Sequence, residues 1–552
     1  MFVREKRIGP YTYVYLVETV RDDGRVRQRI IRNLGRKEEV ERNGDLDRLV
    51  RSATRLAQRS MILSLLEESG GAENLTCQRI GPPLLFERLW RDTRCGDVLN
   101  ELLTGRGFGF AVERAIFVTV LHRLMVSGSD RACAHWRDDY RIAGADRLHL
   151  HHLYRAMAWL GEELPAAEQT NATLAPRCVK DLIEEHQFDR RRDLFTDLSV
   201  VFMDTTSLYF EGEGGATLGE LGHSKDFRPQ LNQMIVAIIM DQTGRPVCSE
   251  MWPGNTADVT TLMPVVERLR GRFGRVCVVA DRGMISAATI AALEQRGLDY
   301  ILGVRERSSK EVRDVVLADP QPSVPLSVPR QGRPDTELQA KEVMHDGRRY
   351  IVCRNLAEAE QDARNRETVV AALRAKLKQG DKSLVGNSAY RRYLRTPDEQ
   401  HFIIDEARIA DEARYDGLYV LRTNTRLHPL TVMLRYRELL VVEQMFRSHK
   451  ALLETRPIFH QTDEAIRGHV FCTFLALVLR KELEDRLAVA QVKSEWRVLL
   501  ADLDRLQEIE VEQDGKHFIL RTPVTGVAGK VFQAVGVALP PQIRDAKPAA
   551  AA

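Results

Sequence analysis

The order of apolar runs between residues 196 and 305 restricts the possible folds more than any other feature of this sequence. Three such runs follow one another without a helical pattern between them, and each of two later runs comes after a segment with helical periodicity. This order predicts a meander of three strands, then two buried strands that are each preceded by a helix. The predicted strands are 198–210, 233–241, 246–254, 275–281 and 299–305, and the predicted helices are about 257–273, capped by Asn255 or Thr256, and 286–293, capped by Ser286.

Two aspartates lie at strand positions of this segment. Asp204 lies inside the first strand after an apolar stretch, and Asp281 ends the fourth. The element order resembles an RNase H-like α/β core, in which the first strand is central and the fourth lies beside it, so that the two carboxylates approach each other. A turn role would account for Asp281, but an unpaired carboxylate inside an apolar strand is costly. The pair therefore favours a metal site.

Length, charge and cysteine usage limit the remaining possibilities. A chain of 552 residues is too long for one core and is expected to form several domains. The formal net charge of +3 is small, so a nucleic-acid surface requires local clustering of Lys and Arg. Eight scattered cysteines indicate a reducing compartment, and the longest apolar run, 470–479, is too short to cross a bilayer and is expected to be a buried core helix. These features predict a cytoplasmic protein without a membrane partner.

Residues 1–36 are predicted to form a basic β-hairpin. Two alternating runs, 11–20 and 25–34, flank an Asp-Gly turn signal. The alternation predicts an apolar face and a face of Tyr and Arg, and the second face is equally consistent with binding phosphates and bases and with cross-strand packing on the surface. The apolar face comprises Val14, Leu16, Val26 and Ile30, and the basic face comprises Tyr11, Tyr13, Tyr15, Arg25, Arg27 and Arg29.

Helical periodicity covers residues 37–195 and predicts a helical N-terminal DNA-binding domain. Within it, His149, His151 and His152 place at most two imidazoles on one helix face, which is half of a zinc site. A capping or surface role is therefore predicted for these histidines.

The remainder of the chain is predicted to contain an insertion over 306–432, the last core helices over 433–485 and a C-terminal α/β tail over 486–552. The insertion is mostly β, with a hairpin that turns at Asp346-Gly347 and a long solvated helix. Further strands are predicted through 401–410 and 418–424.

The helix predicted after residue 436 carries charged residues among Leu and Val. Offsets of four and seven place Glu443, Arg447 and Lys450 on one stripe of this helix. Taken alone, the stripe is an ordinary surface ion pair, since Glu four residues before a cation stabilises a helix. The strand-borne aspartates change that interpretation.

With these aspartates, the chain resembles the DDE transposases of bacterial insertion sequences, in the group whose third carboxylate lies in a Tyr-x2-Arg-x3-Glu-x6-Lys signature. Tyr436, Glu443 and Lys450 match the signature, whereas Leu439 stands at its Arg position. The resemblance covers roughly 196–480. Further segments that carry it are GHSKDFRP (222–229), PGNTAD (253–258), VVADRG (278–283) and RPIFHQTDEAIRGHVF (456–471).

The resemblance implies a DNA transposase that binds the terminal inverted repeats of its element and carries out metal-dependent strand cleavage and strand transfer. It implies Asp204 as a bridging ligand, with Asp281 and Glu443 on either of two Mg²⁺ ions, for which Mn²⁺ substitutes. Such hard cations prefer carboxylate oxygens. Two alternatives stay open: a transposase-derived DNA-binding protein that is no longer catalytic, and another RNase H-like nuclease.

Double-stranded DNA, both element ends and target, is the implied partner, bound by a homodimer that assembles on DNA near the nucleoid. Lys450 would hold a backbone phosphate, and Tyr436 would pack on a sugar or base or lie in the core. A solvated loop is the alternative for the residues of the 222–229 segment. The candidate DNA contacts are Tyr436, Arg447, Lys450, His223, Lys225, Arg228, Arg25, Arg27 and Arg29.

Overall fold

The structure, a computed structural model, divides into two units. The N-terminal unit comprises Met1–Cys77, Glu508–Pro523 and Pro540–Ala552, and the main unit comprises Gln78–Gln507 and Val524–Leu539. The residues that the structure describes are 2–22, 25–42, 74–169, 175–191, 200–222, 228–241, 243–273, 277–281, 285–304, 307, 309–328, 336–378, 392–395, 402–439, 458–513 and 516–545.

Three antiparallel strands and a short helix begin the N-terminal unit: β1 (Phe2–Ile8), β2 (Tyr11–Asp22), β3 (Arg25–Arg36) and α1 (Lys37–Arg42). The predicted hairpin corresponds to β2 and β3. The strand β1 was not predicted, because four consecutive charged residues interrupt any apolar alternation in it. It is held by backbone pairing along β2, from Phe2 opposite Val17 to Ile8 opposite Tyr11.

The predicted sorting of side chains in this sheet is wrong in part. Val14 is buried as expected, but Ile30 is 56% exposed and Val17 is only 1% exposed. The pairing of β2 with β3 shifts register between Val14 and Tyr15 and again between Leu16 and Val17. Each shift breaks the two-residue period, so a simple alternation cannot assign the faces beyond it.

A separate four-stranded sheet has the order β18-β17-β16-β4. Its long hairpin pairs Glu508 opposite Arg521 through Gln513 opposite Lys516. The strand β4 lies within the region that was predicted to be wholly helical. The strands are β4 (Asn74–Arg79), β16 (Gln507–Gln513), β17 (Lys516–Arg521) and β18 (Ile543–Asp545).

The first part of the main unit is helical, as predicted. Its helix α4 is buried along nearly its whole length, which agrees with its lack of a polar face. The backbone N–H of His149 donates to Nδ1 of His152 (3.0 Å), so these histidines cap α6, and the predicted capping role is confirmed. The helices are α2 (Gly81–Asp92), α3 (Cys95–Leu102), α4 (Val112–Met125), α5 (Asp130–Trp136), α6 (Leu150–Leu160) and α7 (Val179–Arg191), with 3₁₀ turns at Arg137–Asp139 and Ala166–Glu168.

Five strands correspond to those predicted between 196 and 305: β5 (Val200–Tyr209), β6 (Gln233–Asp241), β7 (Pro246–Pro253), β8 (Cys277–Ala280) and β9 (Asp299–Gly303). Their order in the sheet is β9-β8-β5-β6-β7, so the first strand is central. The pairs β5–β6 and β6–β7 are antiparallel, whereas β5–β8 and β8–β9 are parallel.

The two predicted helices of this segment are α8 (Asp258–Phe273) and α9 (Ala287–Gln295). The predicted cap is confirmed, since Oγ of Ser286 accepts a hydrogen bond from the backbone N–H of Thr289 (3.1 Å). Along β5 the side chains alternate, so that Met203 packs in the core with α8 and α9, and Phe202 packs in the core with the N-terminal helices.

The predicted insertion extends the same sheet. The strand β15 pairs with β9 in an antiparallel sense, with Leu421 opposite Gly303, and the full order is β10-β11-β12-β15-β9-β8-β5-β6-β7. The predicted hairpin turn is confirmed, since Asp346 and Gly347 both have positive φ, 49° and 73°. The added strands are β10 (Val324–Val328), β11 (Thr336–His345), β12 (Arg348–Asn355) and β15 (Leu418–Thr423).

The prediction of a strand over 401–410 is wrong for most of this segment. Only a two-residue strand, β14 (Ile403–Ile404), forms there and pairs with β13 (Leu394–Arg395). Asp405 then accepts a hydrogen bond from the backbone N–H of Arg408 and caps a helix, because an Asp at this position satisfies a backbone donor of the first turn.

The remaining helices surround the sheet and its core. A visible stretch of helix, α12, runs over 429–439, where the described residues end. The apolar run 470–479 lies inside α13 and is buried, as predicted. No helix within the described ranges is both long and apolar enough to cross a membrane. The helices are α10 (Leu356–Leu377), α11 (Glu406–Ala413), α13 (Asp463–Val489), α14 (Trp496–Asp504) and α15 (Ala528–Val535), with a π-helical turn at Val312–Val316.

Candidate active site

The pairing of β5 with β8 sets the backbone positions of the two predicted aspartates. The parallel register runs from Val200 opposite Cys277 to Met203 opposite Ala280. One residue further along both strands are Asp204 and Asp281. Asp204 also lies opposite Ile238 of β6, in the middle of the sheet. The side chain of Asp204 lies outside the described part of the structure, whereas that of Asp281 is described and half-buried.

A tyrosine from α12 contacts Asp281. The hydroxyl of Tyr436 donates a hydrogen bond to Oδ1 of Asp281 (3.0 Å), across 155 residues of sequence. The helix is held there by apolar packing, since Val432, Met433 and Leu439 are all buried. These residues and Tyr436 are spaced one, three and three apart, which places them on one face of α12. The helix that precedes Glu443 is therefore anchored beside the end of β8.

The departure from the resembled signature has a structural explanation. Leu439, at the signature Arg position, is 6% exposed and belongs to the large core with Phe202 and Val279. Leu439 also lines the cleft beside Asp281, so an Arg at this position would replace apolar core packing with a guanidinium at the edge of the cleft. The other predicted members of the signature, Glu443 and Lys450, lie outside the described residues together with Arg447.

The described part of the predicted DNA-contact loop is limited to Arg228, because His223 and Lys225 lie outside it. Arg228 is exposed, and its guanidinium lies 5.2 Å from the ring centroid of Tyr209, at the end of β5. In the N-terminal sheet Arg27 and Arg29 are exposed, and Arg29 donates to Glu18 (2.6 Å). Arg25 lies at the start of β3, and its side chain is outside the described part.

A cleft of about 320 Å³ opens beside Asp281. Its walls come from α12, from β11, β12 and β15 of the extended sheet, and from the first turn of α10. Sequence patterns did not reveal this cleft, because its residues come from four separate elements of the predicted insertion and from α12. The lining residues include Asp281, Thr336, Asn355, Glu358, Tyr419, Met433, Tyr436 and Arg437.

Two of the cleft residues have identifiable structural duties. The side chain of Asn355 accepts hydrogen bonds from the backbone N–H groups of Ala357 and Glu358, and so caps α10. Tyr419 forms a hydrogen bond with Cys353, and burial raises the pKa of this tyrosine well above its ordinary value. The predicted hairpin and the predicted strand 418–424 supply three of the walls, but the sequence did not indicate that they line a cleft beside Asp281.

A second polar cluster, the histidine cluster, comprises Asp130, His460, His469 and Arg123. Nε2 of His460 lies 3.0 Å from Oδ2 of Asp130 and 3.2 Å from Nδ1 of His469. These donor spacings suit a metal ion, but Nη2 of Arg123 lies 2.9 Å from the same His469 nitrogen, and its guanidinium supplies positive charge to Asp130. Burial lowers the pKa of His469 to about 4, so this imidazole is neutral at physiological pH. The cluster joins α4, α5 and α13.

A third cluster, the buried ion cluster, joins α7 to β7 and α8. Lys180 donates to Asp181 (2.6 Å) and to the carbonyl of Ser249 (2.7 Å), and Arg268 donates to Asp181 (2.6 Å) and to Glu250. Glu184 accepts from the backbone N–H and hydroxyl of Ser249. All these side chains are buried, so the charges are compensated within the protein.

Comparison with known proteins identifies the class. Residues 196–479, which are 284 of the 552, match the family model described as "Transposase DDE domain", and residues 2–68 match "IS1634 family transposase, N-terminal domain". The chain belongs to the DDE transposases. It is a DNA transposase of an insertion sequence and a metal-dependent enzyme, and its residues 2–68 are similar to the N-terminal domain of IS1634 family transposases.

Other comparisons add little. No curated protein matches the sequence. One solved structure, described as a cryo-EM structure of the piggyBac transposase synaptic complex with hairpin DNA, is similar with a TM-score of 0.39 and 10% identity over 77% of this chain and 79% of that chain.

Proposed function

We propose that this transposase binds the terminal inverted repeats of its element and catalyses Mg²⁺-dependent cleavage and strand transfer at a site formed by Asp204, Asp281 and Glu443. The observation that carries the proposal is the β5–β8 register, which brings positions 204 and 281 to neighbouring backbone sites. The order of the five strands, with the first central and the fourth beside it, supports an RNase H-like core. In this proposal the core consists of 196–305 and 433–485, and 306–432 extends its sheet.

The described part of the site suits hard divalent cations. Asp281 is half-buried beside an open cleft, and among the described residues its hydrogen-bond partner is a neutral hydroxyl rather than a cation. A carboxylate oxygen in such a place is a suitable ligand for a divalent cation. Two Asp and one Glu supply oxygen ligands, which Mg²⁺ and Mn²⁺ prefer, and we propose that Asp204, Asp281 and Glu443 would hold two such ions.

Bound Mg²⁺ would stabilise charge on the attacking, leaving and phosphoryl oxygens of the phosphodiester. The protein's own contribution is to hold two of these carboxylates on neighbouring strands, at position 204 of β5 and directly after β8, while Glu443 follows α12 in the sequence. Lys450 would position a backbone phosphate as a point charge, and the cleft beside Asp281 would hold nucleotide groups near the cleaved bond. Arg228 and the exposed arginines of β3 would contact other phosphates of the DNA, and assembly as a homodimer on DNA would bring two ends together.

The test uses purified full-length protein, Mg²⁺ and a labelled duplex that carries one end of the element. The variants Asp204→Asn, Asp281→Asn and Glu443→Gln should each lower the rate of nicking by about 10³-fold or more, because a metal ligand is lost while shape is kept. The end-bearing duplex should still be bound. Asp314→Asn, an exposed carboxylate paired with Arg313, is the matched control and should cut normally.

The same assay separates the alternative functions. A wild-type protein that binds the ends but neither cuts nor joins them would be a DNA-binding derivative. A protein that cuts without joining the 3′ end to a target duplex would be a nuclease. Normal nicking by any one of the three variants would remove that residue from the site.

A further inference from the structure

The hydroxyl of Tyr436 is engaged by Asp281 rather than exposed to a DNA-filled surface. It donates to Oδ1 at 3.0 Å, and the ring is half-buried against the main core. A carboxylate has two oxygens, so a hydrogen bond at Oδ1 fixes the plane of the group while Oδ2 serves a cation. Of the two roles expected for Tyr436, packing on a sugar or base and lying in the core, this geometry is nearer to the second, with the addition of the contact to Asp281.

The backbone of β9 is shaped to receive this tyrosine. A Cβ atom built on Gly303 would lie 2.2 Å from the hydroxyl oxygen of Tyr436 and 2.9 Å from Cζ, so the ring can lie here only because the residue is Gly. Gly303 is itself fixed in the sheet, opposite Leu421 of β15. The ring is thus held between the sheet and α12, and its hydroxyl has little freedom to leave Asp281.

We propose that Tyr436 is a positioning residue for the metal site, which orients the carboxylate of Asp281 and ties α12 to the end of β8. The inference rests on the proposed function of Asp281. Groups that hydrogen-bond to a metal ligand restrict its orientation, and their loss commonly weakens metal binding by about 10-fold to 100-fold. Tyr436 acts on the metal only through Asp281.

The first test is Tyr436→Phe in the full-length protein, with Mn²⁺ as the probe. Binding of Mn²⁺ is followed by electron paramagnetic resonance, and nicking of an end-bearing duplex is followed as a function of Mn²⁺ concentration. We expect Mn²⁺ to bind about 10-fold more weakly and the half-saturating concentration for nicking to rise by a similar factor. The rate at saturating Mn²⁺ should return close to that of the wild type.

Tyr350→Phe is the matched control, because Tyr350 is a buried tyrosine of the same sheet whose hydroxyl donates to a different carboxylate, that of Glu311 (2.9 Å). It should leave the Mn²⁺ dependence unchanged. Gly303→Ala is a second route to the same defect, since the added methyl group displaces the hydroxyl. In the double variant with Tyr436→Phe, the two losses of Mn²⁺ affinity should be less than additive, because both remove one hydrogen bond.

The outcomes separate this inference from the proposed function. A Tyr436→Phe protein with wild-type Mn²⁺ affinity and Mn²⁺ dependence would overturn the positioning role, as would an equal defect in Tyr350→Phe. If Asp281→Asn also bound Mn²⁺ and nicked DNA normally, the proposed site itself would be wrong. Loss of nicking in Asp281→Asn with an unaltered Tyr436→Phe would refute only the role of the tyrosine.

Discussion

The buried ion cluster and the candidate active site both bring carboxylates into the main unit, but they treat the negative charge in opposite ways. In the cluster, Asp181 and Glu250 lie against Lys180 and Arg268, and the adjacent ammonium and guanidinium keep the pKa of Asp181 well below its ordinary value although burial opposes them. At the active site, Asp281 faces a hydroxyl and a cleft. No ion pair involves Asp281 among the described residues.

The difference separates carboxylates whose charge is balanced inside the protein from Asp281, whose hydrogen-bond partner among the described residues is a neutral hydroxyl. A buried charge that has its counter-charge inside the protein is already compensated, and a metal ion would have to displace Lys180 or Arg268 to bind there. A half-buried charge held by a neutral donor keeps its affinity for an external cation. The histidine cluster belongs with the first kind, because Arg123 is built into it.

The largest effect expected from this contrast is on stability. Arg268→Met should lower the free energy of unfolding by about 3–5 kcal/mol, because Asp181 and Glu250 would remain buried without the guanidinium. Asp281→Asn should change it by about 1 kcal/mol or less, since the hydroxyl partner and the cleft remain. Urea unfolding of both variants measures the two values. Equal destabilisation by the two changes would abolish the distinction between structural and functional carboxylates.

A smaller effect is expected in the pH dependence of stability. Burial raises the pKa of Glu184 to about 8, so the folded state holds a proton that the unfolded state releases near the ordinary carboxyl pKa of 4.5. This contribution is fully present below pH 4.5 and is lost as the pH rises through 8. In Glu184→Gln it is absent, so the variant should gain more than about 1 kcal/mol relative to the wild type between pH 6 and pH 9. Urea unfolding at the two pH values checks the sign, and a constant difference between the proteins would contradict it.

The smallest effect concerns DNA binding by two exposed arginines of β3, Arg27 and Arg29. Arg27 is exposed on β3, whereas Arg29 is paired with Glu18. If this face binds DNA phosphates, Arg27→Ala should reduce the slope of log K against log salt by about 1. Arg29→Ala should reduce it less, since part of its charge is already neutralised. Binding of terminal-repeat DNA over a range of salt concentrations measures both slopes, and two unchanged slopes would assign the face a structural role.

Much of the central sheet was predictable from local patterns. The strand 233–241 was predicted with its exact bounds, and the cap at Ser286 and the turn at Asp346-Gly347 were also correct. These features depend on residues that are close in sequence, so local propensity and hydrophobic periodicity predict them directly. The aspartate positions followed from the same strands, although the roles of Asp204, Asp281 and Glu443 stay a prediction.

The features that were missed depend on distant residues or on backbone pairing. The hydrogen bond from Tyr436 to Asp281 spans 155 positions, and the cleft beside it requires the 306–432 strands to join the core sheet. The buried ion cluster was hidden for another reason. The segment VKDLIEEH of α7 has the composition of a solvated helix, and its burial depends on partners distant in sequence, Arg268 on α8 and Ser249 on β7.

Two backbone hydrogen bonds of Ile458 determine how late in synthesis of the chain the core beside β5 can close. Its N–H donates to the carbonyl of Tyr209 and its carbonyl accepts from the N–H of Glu211, so the segment that leads into α13 closes onto the end of β5. A ribosome that adds 5 to 20 residues per second needs roughly 10 to 50 s to travel from one partner to the other. During that interval β5 lacks this partner and the apolar face that α13 covers is open. Chains that stop short of residue 458 can therefore expose the central strand to chaperones and proteases, but they cannot close the core around it.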